Sequence, residues 1–338
     1  MTMSYAEKTP AARTARGPGL ARMITSLWLL GALILLVVAV TGLVPQFLDA
    51  RNIATVAKTF SVMVIMVLGV TWVFAAGKID VSFMQVAALA NMVCAYSLAH
   101  GFGWWPAIGF GLGAGVAVGL LNGWLVAVLG LPALIVTIAV SGICASIAAA
   151  LGKGTVIRID SQGPFAPLLI PAEGQALPLI VLPVLAVVLV AWFVQERLAL
   201  GRYIYAMGTN EAAVRSVGVP TVRITVYLYV FSGFCAALAG LLLAESLSSG
   251  QPLIGGPFLI NGLTVVLLGG MMLRMGRPNI LGTLTATAFI GVLFSAAALL
   301  GLPDWQRQII QGVLLLAGLI VAVLANRRQG KTAKGGPI

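Results

Sequence analysis

The chain has 338 residues, 60% of them hydrophobic and 9% charged, with a mean hydropathy of +1.06. A water-exposed surface needs about 25% charged residues, so the composition excludes a soluble fold and makes the bilayer the relevant solvent. The formal net charge of +11 does not mark a nucleic-acid binder, because the basic residues sit at the chain ends and between apolar runs, where they set topology.

A basic segment, residues 1–25 with Lys8, Arg13, Arg16 and Arg22, leads into an apolar run at 26–44. That run exceeds the roughly 7–15 residues of a signal-peptide core, so it is predicted to stay as a first span. Further spans are predicted near 53–76, 82–99, 105–129, 132–151, 177–195, 223–245, 259–273, 280–300 and 305–325, each judged against the need for about 20 apolar residues. The third and eighth are short enough to be broken or re-entrant helices. The expected fold class is all-α: a polytopic integral membrane protein of about ten transmembrane helices over 26–325, with a helix-bearing cytoplasmic loop at 196–222. A second long loop, 152–176, is rich in Gly and Pro, and a basic, Gly-rich tail covers 326–338.

With the N-terminus inside, the predicted cytoplasmic segments hold 15 Lys and Arg residues, whereas the opposite side holds five: Arg51, Lys58, Lys153, Arg158 and Arg307. This bias predicts both termini in the cytoplasm of a bacterial inner-membrane protein. Lys58 lies about one and a half turns into its span, within snorkelling reach of the interface.

The loop at 196–222 contains Gly201-Arg-Tyr-Ile-Tyr-Ala-Met-Gly-Thr-Asn-Glu-Ala-Ala-Val-Arg-Ser-Val-Gly-Val-Pro220. Thr209 or Asn210 can cap a helix, Glu211 suits its positive end, and Gly218 with Pro220 stops it. The result is a helix of about two turns, too short to be stable alone, which gains order by docking. This stretch resembles the coupling loop, with its Glu-Ala-Ala element, of permeases in the ribose/xylose/arabinose-type ABC importer family. Gly77-Lys-Ile-Asp-Val-Ser82 is similar to that family's Gly-Gly-Ile-Asp-Leu-Ser element. Gly119-Leu-Leu-Asn-Gly123, Leu131-Pro-Ala-Leu-Ile-Val-Thr137, Leu267-Leu-Gly-Gly270, Gly276-Arg277 and Leu281-Gly-Thr283 resemble later elements. The likeness runs from about Ile53 to Ala325.

The resemblance implies a non-enzymatic permease subunit that pairs with a second copy or a paralogue. It further implies a cytoplasmic ATP-binding subunit holding ATP and Mg, no cofactor on this chain, and a periplasmic solute-binding protein. Gly208, Asn210, Glu211, Ala212, Ala213 and Gly218 would seat in the ATPase. Two departures stand out: Lys78 replaces a usual Gly and Met84 another small residue, while Met271-Met-Leu-Arg-Met275 replaces a more polar turn.

Asp80 is the carboxylate lying between the early spans. A charge at the bilayer centre costs roughly 2.5–3.5 kcal/mol, so Asp80 belongs at an interface or against polar groups. Turn formation and a gating role are both open, with Ser82 as a candidate N-cap of the third helix and Lys78 as a candidate ion-pair partner. Asp80, Ser82, Gln85, Asn91, Asn122, Thr137, Ser141, Asn261 and Thr264 are candidates to line a solute path. Hydroxyl and amide groups suit an uncharged, hydroxyl-rich solute, although such residues also bond between helices for about 0.6 kcal/mol each.

Gly111, Gly115, Gly119 and Gly123, spaced by four, form one face for close helix packing. Ala325-Asn-Arg-Arg-Gln-Gly-Lys-Thr332 matches a loose phosphate-loop pattern, but a span precedes it and only a few residues follow, so nucleotide binding is rejected. His100 stands alone beside Trp104 and Trp105, and Cys94, Cys144 and Cys235 lie in apolar runs; none has metal-ligand spacing. The competing readings are a branched-chain amino acid ABC permease, an ion-coupled carrier with intramembrane acid or His relays, and a membrane enzyme, for which no catalytic cluster is present.

Overall fold

A computed structural model describes residues 20–170, 177–273, 276–303 and 305–313, with 316 and 320. Most of segment 1–25, the tail 326–338, the phosphate-loop-like run and the end of the tenth predicted span lie outside the described residues.

The architecture is helical. In chain order the elements are α1 (Leu20–Leu43), a 3-10 turn (Pro45–Leu48), α2 (Ala50–Ala75), α3 (Phe83–Ala99), α4 (Trp104–Ala127) and α5 (Ala133–Leu151). After them come β1 (Ile157–Arg158), α6 (Ala166–Leu169), α7 (Val181–Arg197), α8 (Ala199–Ser216), α9 (Thr221–Ser246), β2 (Ser249–Gly250), α10 (Gly256–Gly269) and α11 (Ile280–Leu299). Residues 305–313 are also helical. Among the described residues five helices are long and apolar enough to cross a membrane, or six if α7 and α8, bent by 67° at their junction, form one span. The helices α3 and α10 have 17 and 14 residues, short as expected. Among the described residues, the first nine predicted spans and the start of the tenth coincide with helix, while five or six helices meet the length criterion on their own.

The loop at 152–176 holds structure that its Gly and Pro content hid. Its β1 pairs antiparallel with β2 in a two-residue ladder, which ties the loop to the end of α9. Glu245 there accepts a hydrogen bond from the Phe165 backbone N–H at 3.0 Å. Lys58 lines a small cavity together with Glu245 and Ser161.

The interior is built around α9, which packs against α4, α2 and α3. In α2 every side chain from Ser61 to Val73 is buried, as expected of a helix apolar on all sides. By contrast α4, α5 and α7 expose Leu120, Trp124, Ile135, Ile138, Leu182 and Leu189, faces that lipid or another subunit can cover.

The glycine row behaves as expected. Gly111, Gly115, Gly119 and Gly123 lie in the buried stripe of α4, and a Cβ on Gly115 would fall on Ala237 Cβ and the Gly233 carbonyl of α9. Gly113, two residues away, has nothing within 4 Å of a built Cβ. Gly115→Leu should therefore lower the thermal midpoint of the purified protein, with an overpacking penalty of about 1–3 kcal/mol, while Gly113→Leu leaves it unchanged. Equal midpoints would refute the α4–α9 contact.

Candidate functional site

The site begins at the end of α2. Gly77, with φ +75°, donates its N–H to Phe74 O at 3.0 Å, and Lys78 N–H reaches Val73 O at 3.1 Å. This pair of bonds closes the helix in the left-handed cap that glycine adopts without a Cβ penalty. The turn 77–82 then runs into the bundle and is gripped along its length. Tyr229 Oη donates to Ile79 O at 2.9 Å, and Val81 N–H bonds Thr137 Oγ1 at 3.3 Å.

Asp80 is 2% exposed. Its Oδ1 accepts from Ser82 N at 2.8 Å and Ser82 Oγ at 2.7 Å, and its Oδ2 accepts from Ser232 Oγ at 2.7 Å. Asn122 Nδ2 donates to Ser82 Oγ at 2.8 Å, so α4 and α9 join the cluster. Two expectations are corrected here. Ser82 occupies the N-cap position of α3 but makes no side-chain capping bond; its hydroxyl is turned away from the helix end, donating to Asp80 Oδ1 and accepting from Asn122 Nδ2. Lys78 does not pair with Asp80, since Asp80 points into the bundle while Lys78 points out of it.

The partner of Lys78 lies 133 residues away: its Nζ contacts Glu211 Oε2 at 2.7 Å. Arg215 Nη2 holds Glu211 Oε1 at 3.1 Å. Burial works against the charge on Glu211, but the bonds and charges of Lys78 and Arg215 outweigh it and hold the carboxyl below its ordinary value.

The helix bearing Glu211 is longer than predicted. In place of two turns starting near 209, α8 extends over Ala199–Ser216 with a break at Asn210, φ −158° and ψ 94°. The first part is anchored by buried Gly201, Ile204, Tyr205 and Met207, an apolar face that its basic and glycine residues masked in the sequence. The second part is capped as expected: Asn210 Oδ1 accepts from Ala213 N at 3.1 Å. It ends at Gly218, φ +85°. Thr209 instead bonds back to Tyr205 O at 3.1 Å and accepts from Arg277 Nη2 at 3.2 Å.

Gly208 lies against the end of α2, where a Cβ would strike the Ala75 carbonyl oxygen and approach Gly77 N to 3.3 Å. Three stretches that are distant in sequence, 77–82, 199–218 and 276–279, thus meet at one end of the bundle. Gln195, 1% exposed, braces the same end by donating to Pro278 O at 3.2 Å and accepting from Ile280 N at 2.9 Å. Asn279 caps α11 through Gly282 N at 2.8 Å. Gln195, Tyr229 and Ser232 were missed by the sequence reading; each is a polar residue in an apolar run, the same signal that marked Asn122 and Thr137. Gly208, Asn210, Ala212, Ala213 and Gly218 are exposed, forming a surface beside the half-buried Glu211.

The solute-path candidates separate into groups. Asp80, Ser82, Asn122 and Thr137 are buried in the turn cluster. Asn91 is a packing staple, donating to Gly240 O and Ser249 O and accepting from Gln251 N at 2.7 Å. Ser141 is buried in α5, and the Gln85 Oε1 atom is buried without a hydrogen-bond partner. Asn261 lines a cavity of about 480 Å³ with Gly256, Ile260, Phe294, Arg307, Gln308 and Gln311. Thr264 supports that cavity by accepting from Gln311 Nε2 at 3.4 Å. His100 is exposed at the end of α3, its ring tilted by 33° against that of Tyr96 with centroids 4.0 Å apart, and among the described residues no group of three His, Cys, Asp or Glu is placed to hold a metal.

The family model described as branched-chain amino acid transport system / permease component matches residues 52–319. The chain is 29% identical over 332 residues to the probable ABC transporter permease protein y4mJ of Sinorhizobium fredii, covering 97% of this chain and 98% of the relative. It is 30% identical over 314 residues to the ribose import permease protein RbsC of Escherichia coli, covering 89% and 96%. It is 29% identical over 285 residues to the L-arabinose transport system permease protein AraH of Escherichia coli, covering 84% and 86%. No solved structure matches the chain.

Proposed function

The chain belongs to the family described as branched-chain amino acid transport system / permease component, and from that premise we propose that it forms the membrane path of an ATP-driven importer for a sugar. The observation that carries the reading is the likeness to permeases named for ribose and arabinose, which extends over 84–89% of this chain. The amide groups of Asn261, Gln308 and Gln311, with Arg307 beside them, around one cavity add support, since they offer the donors and acceptors that sugar hydroxyls can bind. The family label favours a branched-chain amino acid as the second reading, while the sugar-permease relatives weigh against it. An ion-coupled carrier has no comparable support.

In this proposal the chain spans the bacterial inner membrane about ten times with both termini in the cytoplasm, as the Lys and Arg bias supports. It is no enzyme itself. A partner subunit hydrolyses Mg-bound ATP, a second permease copy or paralogue completes the path, and a periplasmic protein delivers the solute. The exposed surface of Gly208, Asn210, Ala212 and Ala213 on α8, with Gly218 just after it, meets the ATPase, with Glu211 holding the helix in place. ATP-driven motion of that contact shifts the balance between two pore conformations.

The test is uptake into proteoliposomes containing this chain, the ATP-binding subunit and the binding protein. ATP-dependent accumulation of labelled ribose or arabinose is expected, unaffected by a protonophore. Accumulation of leucine but neither sugar would establish the amino acid reading, and sugar uptake without the ATPase would overturn the importer.

A further inference from the structure

The turn 77–82 has two faces held by different parts of the molecule. Its outer face meets α8, through the Lys78 Nζ contact to Glu211 Oε2 at 2.7 Å and through Gly77, on which a Cβ would lie 3.2 Å from Gly208 Cα. Its inner face is bonded to α9 at Ile79 O and Asp80 Oδ2, to α5 at Val81 N and to α4 at Ser82 Oγ. Each residue from Gly77 to Ser82 makes at least one hydrogen bond. A turn bonded at every residue has little slack, so a displacement at one face is passed to the other instead of being absorbed.

We infer that residues 77–82 form a connector between α8 and the buried Asp80 cluster, and that Lys78 and Glu211 are positioning residues which carry motion of α8 to α4 and α9. Both side chains are about one-quarter exposed, so the contact is partly shielded from water and counter-ions. At position 78 the lysine adds a charged tether that resists separation of the turn from α8. Glu211 thereby serves this chain internally, since Lys78 and Arg215 occupy its two carboxylate oxygens, and the exposed Ala212 and Ala213 are left to face a partner. The functional part of the inference rests on the importer reading, in which a motor subunit moves α8.

The test uses the purified full-length chain in lipid nanodiscs, read by amide hydrogen exchange. Lys78→Met should speed exchange about threefold or more in 211–216 and also at 82–86, where α3 begins. Lys78→Arg should restore both regions. Acceleration confined to α8, or none in either region, would overturn the connector, because the turn would then be a passive neighbour. In the assembled importer, Lys78→Met and Glu211→Gln should each lower solute moved per ATP about threefold, and the double variant should fall no further than the worse single. Fully additive losses would show that the two residues do not act as a pair. If the unaltered assembly fails to link ATP hydrolysis to sugar uptake, the proposed function fails while the exchange result still decides the mechanical link.

Discussion

Alanine at Asp80 is expected to lower the thermal midpoint of the purified protein more than any other single polar replacement in the turn cluster. The substitution removes the acceptor shared by Ser82 N, Ser82 Oγ and Ser232 Oγ, all within 2.8 Å. With Asp80 2% exposed, no water can take over those donors without entering the bundle. Leaving buried donors unpaired costs about 1–3 kcal/mol each. Removing a buried polar group returns part of that, since its desolvation no longer has to be offset. The net expected loss is about 2–4 kcal/mol. Asp80→Asn keeps the volume and one carbonyl acceptor, so it should fall between wild type and alanine. An unchanged midpoint for Asp80→Ala would show that the carboxylate does not hold α3, α4 and α9 together.

Gly208→Val is expected to separate ATP hydrolysis from uptake. A Cβ at 208 would strike the Ala75 carbonyl, and the obstacle is backbone, so no rotamer change relieves it. The larger valine side chain must push α8 off the end of α2, at an overpacking cost of about 1–3 kcal/mol. Gly208 is exposed on its other side, so the bundle itself need not open, and membrane insertion should persist. Solute moved per ATP should drop about tenfold, equivalent to about 1.4 kcal/mol of lost coupling, with hydrolysis by the partner continuing. Gly142→Val, at a position with nothing within 4 Å of a built Cβ, controls for generic effects of valine in a membrane helix. Normal coupling in Gly208→Val would mean that the α2–α8 contact plays no part in transmission.

Much of the site was legible as separate pieces. Asn210 as a helix cap, Gly218 as a stop, and Gly115 with its neighbours as a packing face all follow from local rules, because capping, left-handed backbone and periodicity act over a few residues. The front half of α8 was not legible, since its buried face of Ile204, Tyr205 and Met207 is interleaved with Arg202, Tyr203 and Gly208, diluting the helical period. The β1–β2 ladder escaped notice because two-residue strands carry no alternation to detect.

The sequence by itself determined the solvent and the helical class: side chains this apolar cannot face water, and a backbone in lipid must satisfy its own hydrogen bonds, which leaves helices as the solution for runs of this length. Only the tertiary structure decided who meets whom at the end of the bundle. Lys78 had an acid two residues away and chose one 133 residues away, because the cap at Gly77 turns the chain so that Asp80 enters the helix bundle while Lys78 stays at its edge. Such pairings depend on the path of the backbone through space, and local composition carries no record of it.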